Sequence, residues 1–218
     1  MLWQKGERRI RPLLISHTLP QTLSPYLKEL TDILGIIEYR IPVTENPIRS
    51  KKKRYFLKDP FIRFYSRFIY PNQSRYAIGQ YDALMKKVLL DWDGFARYNF
   101  EDMVREELSV YLSHEFDKFG PWWNRRGDKI DLVAIGPSSS LELEIKNRTI
   151  NRKEGTRIIE ELHKRTDRIQ GITHPIRFGL AARSLEGKEE YHKNRIRVYD
   201  LKDILDLAAY PLEGNDLE

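Results

Sequence analysis

Asp131 and the run Glu142-Leu143-Glu144-Ile145-Lys146 are the residues in this chain best equipped for chemistry. They lie in the stretch GDKIDLVAIGPSSSLELEIKNR, which reads as two strands joined by a short Pro/Ser turn. Side chains alternate along a strand, so Glu142, Glu144 and Lys146 share one face while Leu141, Leu143 and Ile145 take the other, which can pack on a core. A hairpin of this length brings Asp131 beside Glu144. Two carboxylates and an ammonium at one point suit Mg²⁺- or Mn²⁺-assisted phosphodiester hydrolysis: Asp131 and Glu144 hold a hard cation through oxygen, and Lys146 orients or activates the attacking water.

The same strand has a plainer reading. An exposed antiparallel strand with Glu, Glu and Lys on its wet face needs no function. Asp131 resists that explanation, because it sits inside the apolar strand Lys129-Ile130-Asp131-Leu132-Val133-Ala134-Ile135, where an unpaired carboxylate would be costly.

The chain has 218 residues, enough for one large domain or two small ones. It is 32% charged with a mean hydropathy of −0.60, which predicts a soluble protein. No apolar run approaches the length of a bilayer span and no secretory leader is expected, so a cytoplasmic location and no membrane partner are predicted. Cysteine is absent, which excludes disulfides, thiolate zinc sites and a Cys nucleophile. The net charge of +6 is unevenly distributed. Residues 1–90 hold 17 Lys and Arg against 7 Asp and Glu, whereas residues 91–218 hold 21 against 25. A basic N-terminal half suits a polyanionic partner; it also suits docking on the acidic half.

Residues 1–58 read as a winged-helix DNA-binding domain with an incomplete start, since only Arg8 to His17 and a Leu-Pro break precede its main helix. Ser24 is a good N-cap and Pro25 a good first helical residue, Leu27, Leu30, Ile33 and Leu34 mark an apolar face, and Gly35 ends the helix. Ile36 to Val43 and Tyr55-Phe56-Leu57 predict a hairpin. Its loop carries Arg49, Lys51, Lys52, Lys53 and Arg54, which would grip DNA phosphates while the helix enters the major groove. A basic loop is also often only a solvated turn, and winged helices serve as protein-interaction modules too.

Residues 59–94 predict a helical connector. Phe61, Phe64, Tyr65 and Phe68 recur at helical spacing, which indicates packing, with Arg63 and Arg67 on a solvated face, and a second helix covers residues 76–90. Residues 95–218 predict an α/β sandwich with a mixed central sheet, in the order helix, strand, strand, helix, strand, strand, and room for a further strand near Trp122. Phe100, Met103, Val104, Leu108 and Tyr111 form the inward face of its first helix.

Asp on one strand and Glu-x-Lys on the next resemble the PD-(D/E)XK nuclease superfamily. The stretches LSPYLKELTDILGIIEYRIPV, RYFLKDPFIRFYSRFIYPN, FEDMVREEL and GDKIDLVAIG…LELEIKNR further resemble the C-terminal region of the archaeal P-loop ATPases, a winged helix followed by a nuclease-like domain. The resemblance implies that Asp131 and Glu144 are metal-binding carboxylates, Lys146 the catalytic Lys and Glu101 a further acidic residue of the site. It also implies a P-loop ATPase module in cis or in trans. No Gly-x-x-x-x-Gly-Lys-Ser/Thr occurs in the chain, so no nucleotide hydrolysis by the chain itself is expected.

The five His, at 17, 114, 163, 174 and 192, lack paired metal-ligand spacing, and Ser138-Ser139-Ser140 reads as a turn. Two functions remain open: a metal-dependent endonuclease acting on duplex or branched DNA, and a non-catalytic DNA-binding or regulatory module that keeps the nuclease fold.

Overall fold

The computed structural model describes residues 24–209; the Arg8–His17 stretch lies outside them. Among the described residues, seven strands and seven α-helices are distributed over two compact units, residues 24–40 with 51–99 and residues 41–50 with 100–209.

In the first unit, α1 (Ser24–Lys28) continues as a π-helical turn over Glu29–Ile33, and Gly35 takes a left-handed φ of 61° to end it. Strands β1 (Ile37–Arg40) and β2 (Arg54–Leu57) pair antiparallel in the register Ile37↔Leu57 to Arg40↔Arg54. Leu27 is buried as expected, but Ile33 and Leu34 are exposed. The π-turn shifts the helical phase, so the stripe counted at 3.6 residues per turn does not hold to the end. Arg54 belongs to β2 and not to the loop.

Asp59 caps α2 (Pro60–Phe64), its Oδ1 accepting from the Ile62 amide at 2.8 Å. The chain runs on through turns at Tyr65–Ile69 and Tyr70–Asn72 into α3 (Gln73–Ala77). Phe64 and Phe68 pack with Phe95, with centroids 5.2 to 5.9 Å apart, whereas Phe61 and Tyr65 face solvent. Arg63 and Arg67 are internal ties and not a solvated face. Arg63 donates to Leu57 O, Lys58 O and Asn99 Oδ1, and Arg67 pairs with Asp91.

The two helices expected on either side of residue 94 are one, α4 (Tyr81–Tyr111). Gly94 lies inside it. A mid-helix glycine costs only about 1 kcal/mol relative to alanine, too little to break a helix that is buried on both sides of the position. Leu84, Val88 and Phe95 are buried in the first unit, and Phe100, Val104 and Leu108 in the second.

The second unit is a five-stranded mixed sheet covered on both faces, so the chain is α+β with an α/β sandwich as its larger part. Strands β3 (Lys118–Trp123), β4 (Lys129–Ile135) and β5 (Ser140–Ile150) form an antiparallel meander, and β6 (Ile176–Leu185) and β7 (Arg197–Asp200) add parallel to it, in the order β3-β4-β5-β6-β7. Helix α5 (Arg152–Thr166) makes the crossover from β5 to β6, and α6 (Lys188–Lys193) that from β6 to β7; α7 (Leu201–Ala209) closes the described chain. On one face, Phe100, Val104, Leu108 and Leu112 pack with Ile204 of α7 on Leu132, Ala134, Leu141, Leu143 and Ile145. On the other, Ile158 and Ile159 of α5 pack with Tyr191 on Ile150, Leu180 and Val198, and Leu162 packs on Trp122, Ile130 and Val133. Gly155 lets α5 sit close: a Cβ there would overlap the Tyr191 hydroxyl, which donates to Arg152 O at 3.1 Å.

This arrangement overturns the wet-face reading of the Glu-Glu-Lys strand. β5 is the central strand of the sheet, and α5 lies over its polar side, so Glu142 is fully buried and Glu144 nearly so. Within the same unit, the segment 41–50 ties to β3 through Val43 N donating to Pro121 O at 3.0 Å.

Candidate active site

The register Leu132↔Leu143 carries Asp131 alongside Glu144. Leu132 and Leu143 pack on the apolar face, and Glu144 points to the opposite one, toward Arg165 of α5. Lys146 follows Glu144 on that face. Its Nζ lies 2.8 Å from Glu144 Oε1 and 3.8 Å from Asp131 Oδ2. The Ile145 amide donates to Asp131 Oδ2 at 2.9 Å and fixes the carboxylate against the neighbouring strand. Asp131, Glu144 and Lys146 therefore meet at one point.

Glu101 reaches this site from α4, held through Lys129, whose Nζ is 3.0 Å from Glu101 Oε2 and 2.7 Å from Asp131 Oδ1. On the other side, Arg165 of α5 places Nη1 3.5 Å from Glu144 Oε2 and donates to Lys129 O at 2.8 Å. Charges alternate along the row Glu101, Lys129, Asp131, Lys146, Glu144, Arg165. Arg105, one turn along α4 from Glu101, donates to Asp131 O at 2.9 Å and pairs with Asp102 at 2.8 Å.

Sequence reasoning misses Lys129, Arg105 and Arg165. Lys129 carries a usable signal, since it precedes Asp131 by two residues and so shares its strand face. Arg165 carries none, because only the crossover of α5 brings it to the strand.

Electrostatics distinguishes the carboxylates. Burial alone would raise the pKa of Asp131, but the Lys129 and Lys146 ammoniums and the Ile145 amide outweigh it and hold the group below the ordinary range. Burial and the Asp131 charge push Glu144 up, against the pull of Lys146, and they push Glu101 up, against that of Lys129. Lys129 is held above its usual value by Asp131 and Glu101, although burial acts the other way. Glu142, on the same face one residue pair deeper, is pushed up to about 7 by burial, against the Thr166 hydroxyl that donates to its Oε2 at 2.6 Å and the more distant charge of Arg165.

Asp131 Oδ2 and Glu144 Oε1 already face one cation, the Lys146 ammonium, and such hard oxygen donors suit Mg²⁺ or Mn²⁺. Among the described residues no three His, Cys, Asp or Glu side chains gather at metal-ligand range. Water and substrate oxygens would therefore fill most of the coordination shell, as Mg²⁺ prefers. Lys146 is about a quarter exposed.

The basic hairpin residues have separate settings. Lys51 and Lys53 are exposed in the first unit, Lys53 with its ammonium 4.4 Å from the Tyr39 ring centroid. Arg49 is exposed in the 41–50 segment of the second unit. Lys52 and Arg54 are half-buried, and burial lowers the pKa of Arg54. His163 stacks on Phe178 with centroids 3.7 Å apart, and Trp122 and Trp123 are buried.

Residues 65–158 match the DUF234 family, described as archaea bacterial proteins of unknown function. The chain is 31% identical over 188 residues to the uncharacterized protein MJECL04 of Methanocaldococcus jannaschii. That match takes in 83% of this chain but 41% of the relative, so the chain spans about two fifths of the length of the curated relative it matches. Among solved structures it is similar to a repair endonuclease from Pyrococcus abyssi, with a TM-score of 0.32 and 20% identity over 46% of this chain and 44% of that one. Among the described residues no helix is long and apolar enough to cross a membrane.

Proposed function

We propose that this chain is a metal-dependent endonuclease-like protein that hydrolyses DNA phosphodiesters at Asp131, Glu144 and Lys146. The observation that carries the reading is the meeting of these side chains from two adjacent strands at one nearly buried point, with Asp131 kept charged where burial would neutralise it. Asp131 and Glu144 would hold Mg²⁺ or Mn²⁺, which supplies charge neutralisation at the scissile phosphate and a more acidic bound water. Lys146, displaced from between the carboxylates, faces the same phosphate and positions the attacking water. Glu101 is the outer carboxylate of the site, reached through Lys129. Duplex or branched DNA is the proposed substrate, engaged by a winged helix built on α1, β1 and β2. A P-loop ATPase module, in cis or in trans, is the proposed partner.

The test is calorimetric titration with Mn²⁺. Wild type is expected to show a binding site that Asp131→Asn and Glu144→Gln each abolish, and equal heats in all three proteins would sink the reading. DNA engagement is tested separately. Lys51→Glu with Lys53→Glu is expected to weaken DNA affinity and to lower the slope of log affinity against log salt by about one for each phosphate that is no longer neutralised. An unchanged slope would make the hairpin loop a solvated turn.

A second reading has its own observation. Every carboxylate in the row Glu101, Asp131, Glu144 is already neutralised by Lys129, Lys146 or Arg165. Such pairing also suits a non-catalytic DNA-binding or regulatory module that keeps the fold.

A further inference from the structure

We propose that Lys129 takes the place of a second metal ion, making this a site for one divalent cation. The inference rests on the nuclease reading above and concerns how its charge is arranged.

The Asp131 carboxylate is divided between two cation positions. Its Oδ2 faces Lys146 and accepts from the Ile145 amide, while Oδ1 takes the Lys129 ammonium at 2.7 Å. In two-metal hydrolases the ions stand about 3.5–4 Å apart, close enough for one carboxylate to bridge them. Asp131 has the position of such a bridge. The Lys146 side is where Asp131 and Glu144 converge and where a divalent ion would enter. On the other side the partner carboxylate is Glu101, and the cation already joining Glu101 Oε2 to Asp131 Oδ1 is Lys129.

Two features make Lys129 a fixture of the site. Its backbone is held from α5, where Arg165 Nη1 donates to Lys129 O at 2.8 Å. Its side chain is set by the strand itself, since residues 129 and 131 of β4 point to the same face. It bridges carboxylates from two different elements, α4 and β4, as a shared metal ion would. An ammonium neutralises these oxygens but supplies no open coordination position and no activated water. Lys129 is thus a positioning residue: it holds Asp131 and Glu101 in place and leaves one ion to do the chemistry.

Removing that charge would leave Glu101 Oε2 and Asp131 Oδ1 converging with nothing between them, a pair of hard donors suited to a second divalent ion. Mn²⁺ titration followed by calorimetry in the absence of DNA gives the test. The expected stoichiometry is one ion in wild type, two in Lys129→Gln and one again in Lys129→Arg, which restores the positive charge. Electron paramagnetic resonance is expected to show an isolated Mn²⁺ in wild type and a spin-coupled pair in Lys129→Gln. Two ions in wild type, or no gain of a second ion in Lys129→Gln, overturn the proposal and leave the nuclease reading standing. No ion in wild type overturns the nuclease reading itself. Should Lys129→Gln lose its cooperative melting transition, Lys129→Met, which keeps the aliphatic stem, is held to the same criterion.

Discussion

Lys146→Ala is expected to slow DNA cleavage by on the order of a hundredfold or more while leaving DNA affinity nearly intact. The two effects separate because Lys146 acts at different strengths in binding and in reaction. For binding, it is one cation in a chain of net charge +6, equivalent to about one neutralised phosphate. For reaction, it lies two residues from Glu144 on the same strand, so that once displaced by the metal it still faces the phosphate held there. A donor placed where charge develops in the transition state contributes more there than to ground-state binding. The measurements are single-turnover cleavage of supercoiled and branched DNA with Mg²⁺ or Mn²⁺, and equilibrium binding to the same DNA. Cleavage that survives the substitution would assign the activity to another site or to a contaminant. Wild-type protein that binds DNA but cuts no substrate with either metal would leave the regulatory reading in place.

The parts of this site that were legible in the sequence are those fixed by one strand or one hairpin. Period two along β5 puts Glu144 and Lys146 on one face, and the turn between β4 and β5 sets the register that brings Asp131 beside them. Both are local facts. What lies over that face is not local. The alternation Leu141, Glu142, Leu143, Glu144 is the pattern of a strand with one wet side, yet β5 pairs parallel with β6 and is roofed by α5. Arg165 and Thr166 reach Glu144 and Glu142 only because of that crossover. The same limit explains the connector. The sequence reads as separate helices on either side of residue 94, but burial of Val88 and Phe95 before Phe100 and Val104 makes them the single helix α4. The hairpin loop likewise reads as one basic segment, whereas Arg54 belongs to a strand and residues 41–50 to the second unit.

Glu142→Gln is expected to stabilise the protein at pH 8 and to leave its stability nearly unchanged near pH 4. Glu142 is fully buried on the polar side of β5; Thr166 donates to its Oε2, and its Oε1 has no hydrogen-bond partner among the described residues. Burial pushes its pKa up to about 7 from the ordinary 4.5, against the hydroxyl of Thr166 and the charge of Arg165. The folded protein therefore binds this proton more tightly than the unfolded chain does. The stabilisation that follows is fully present below the unfolded value and is lost as pH rises through about 7. At pH 8 the fold holds a buried carboxylate, at a cost of at most about 3 kcal/mol. A neutral amide escapes that cost, since its carbonyl still accepts from Thr166. Near pH 4 both side chains are neutral, and each leaves one polar atom without a partner, so the difference closes. For a chain of this size 1 kcal/mol corresponds to roughly 2–4 °C in melting temperature, and the gain at pH 8 is expected to be several degrees. Thermal melts of both proteins from pH 4 to pH 8 decide the matter. Parallel curves, with no widening gap between pH 5 and pH 8, would mean that Glu142 titrates as an ordinary carboxylate and that its side chain reaches water in the folded protein.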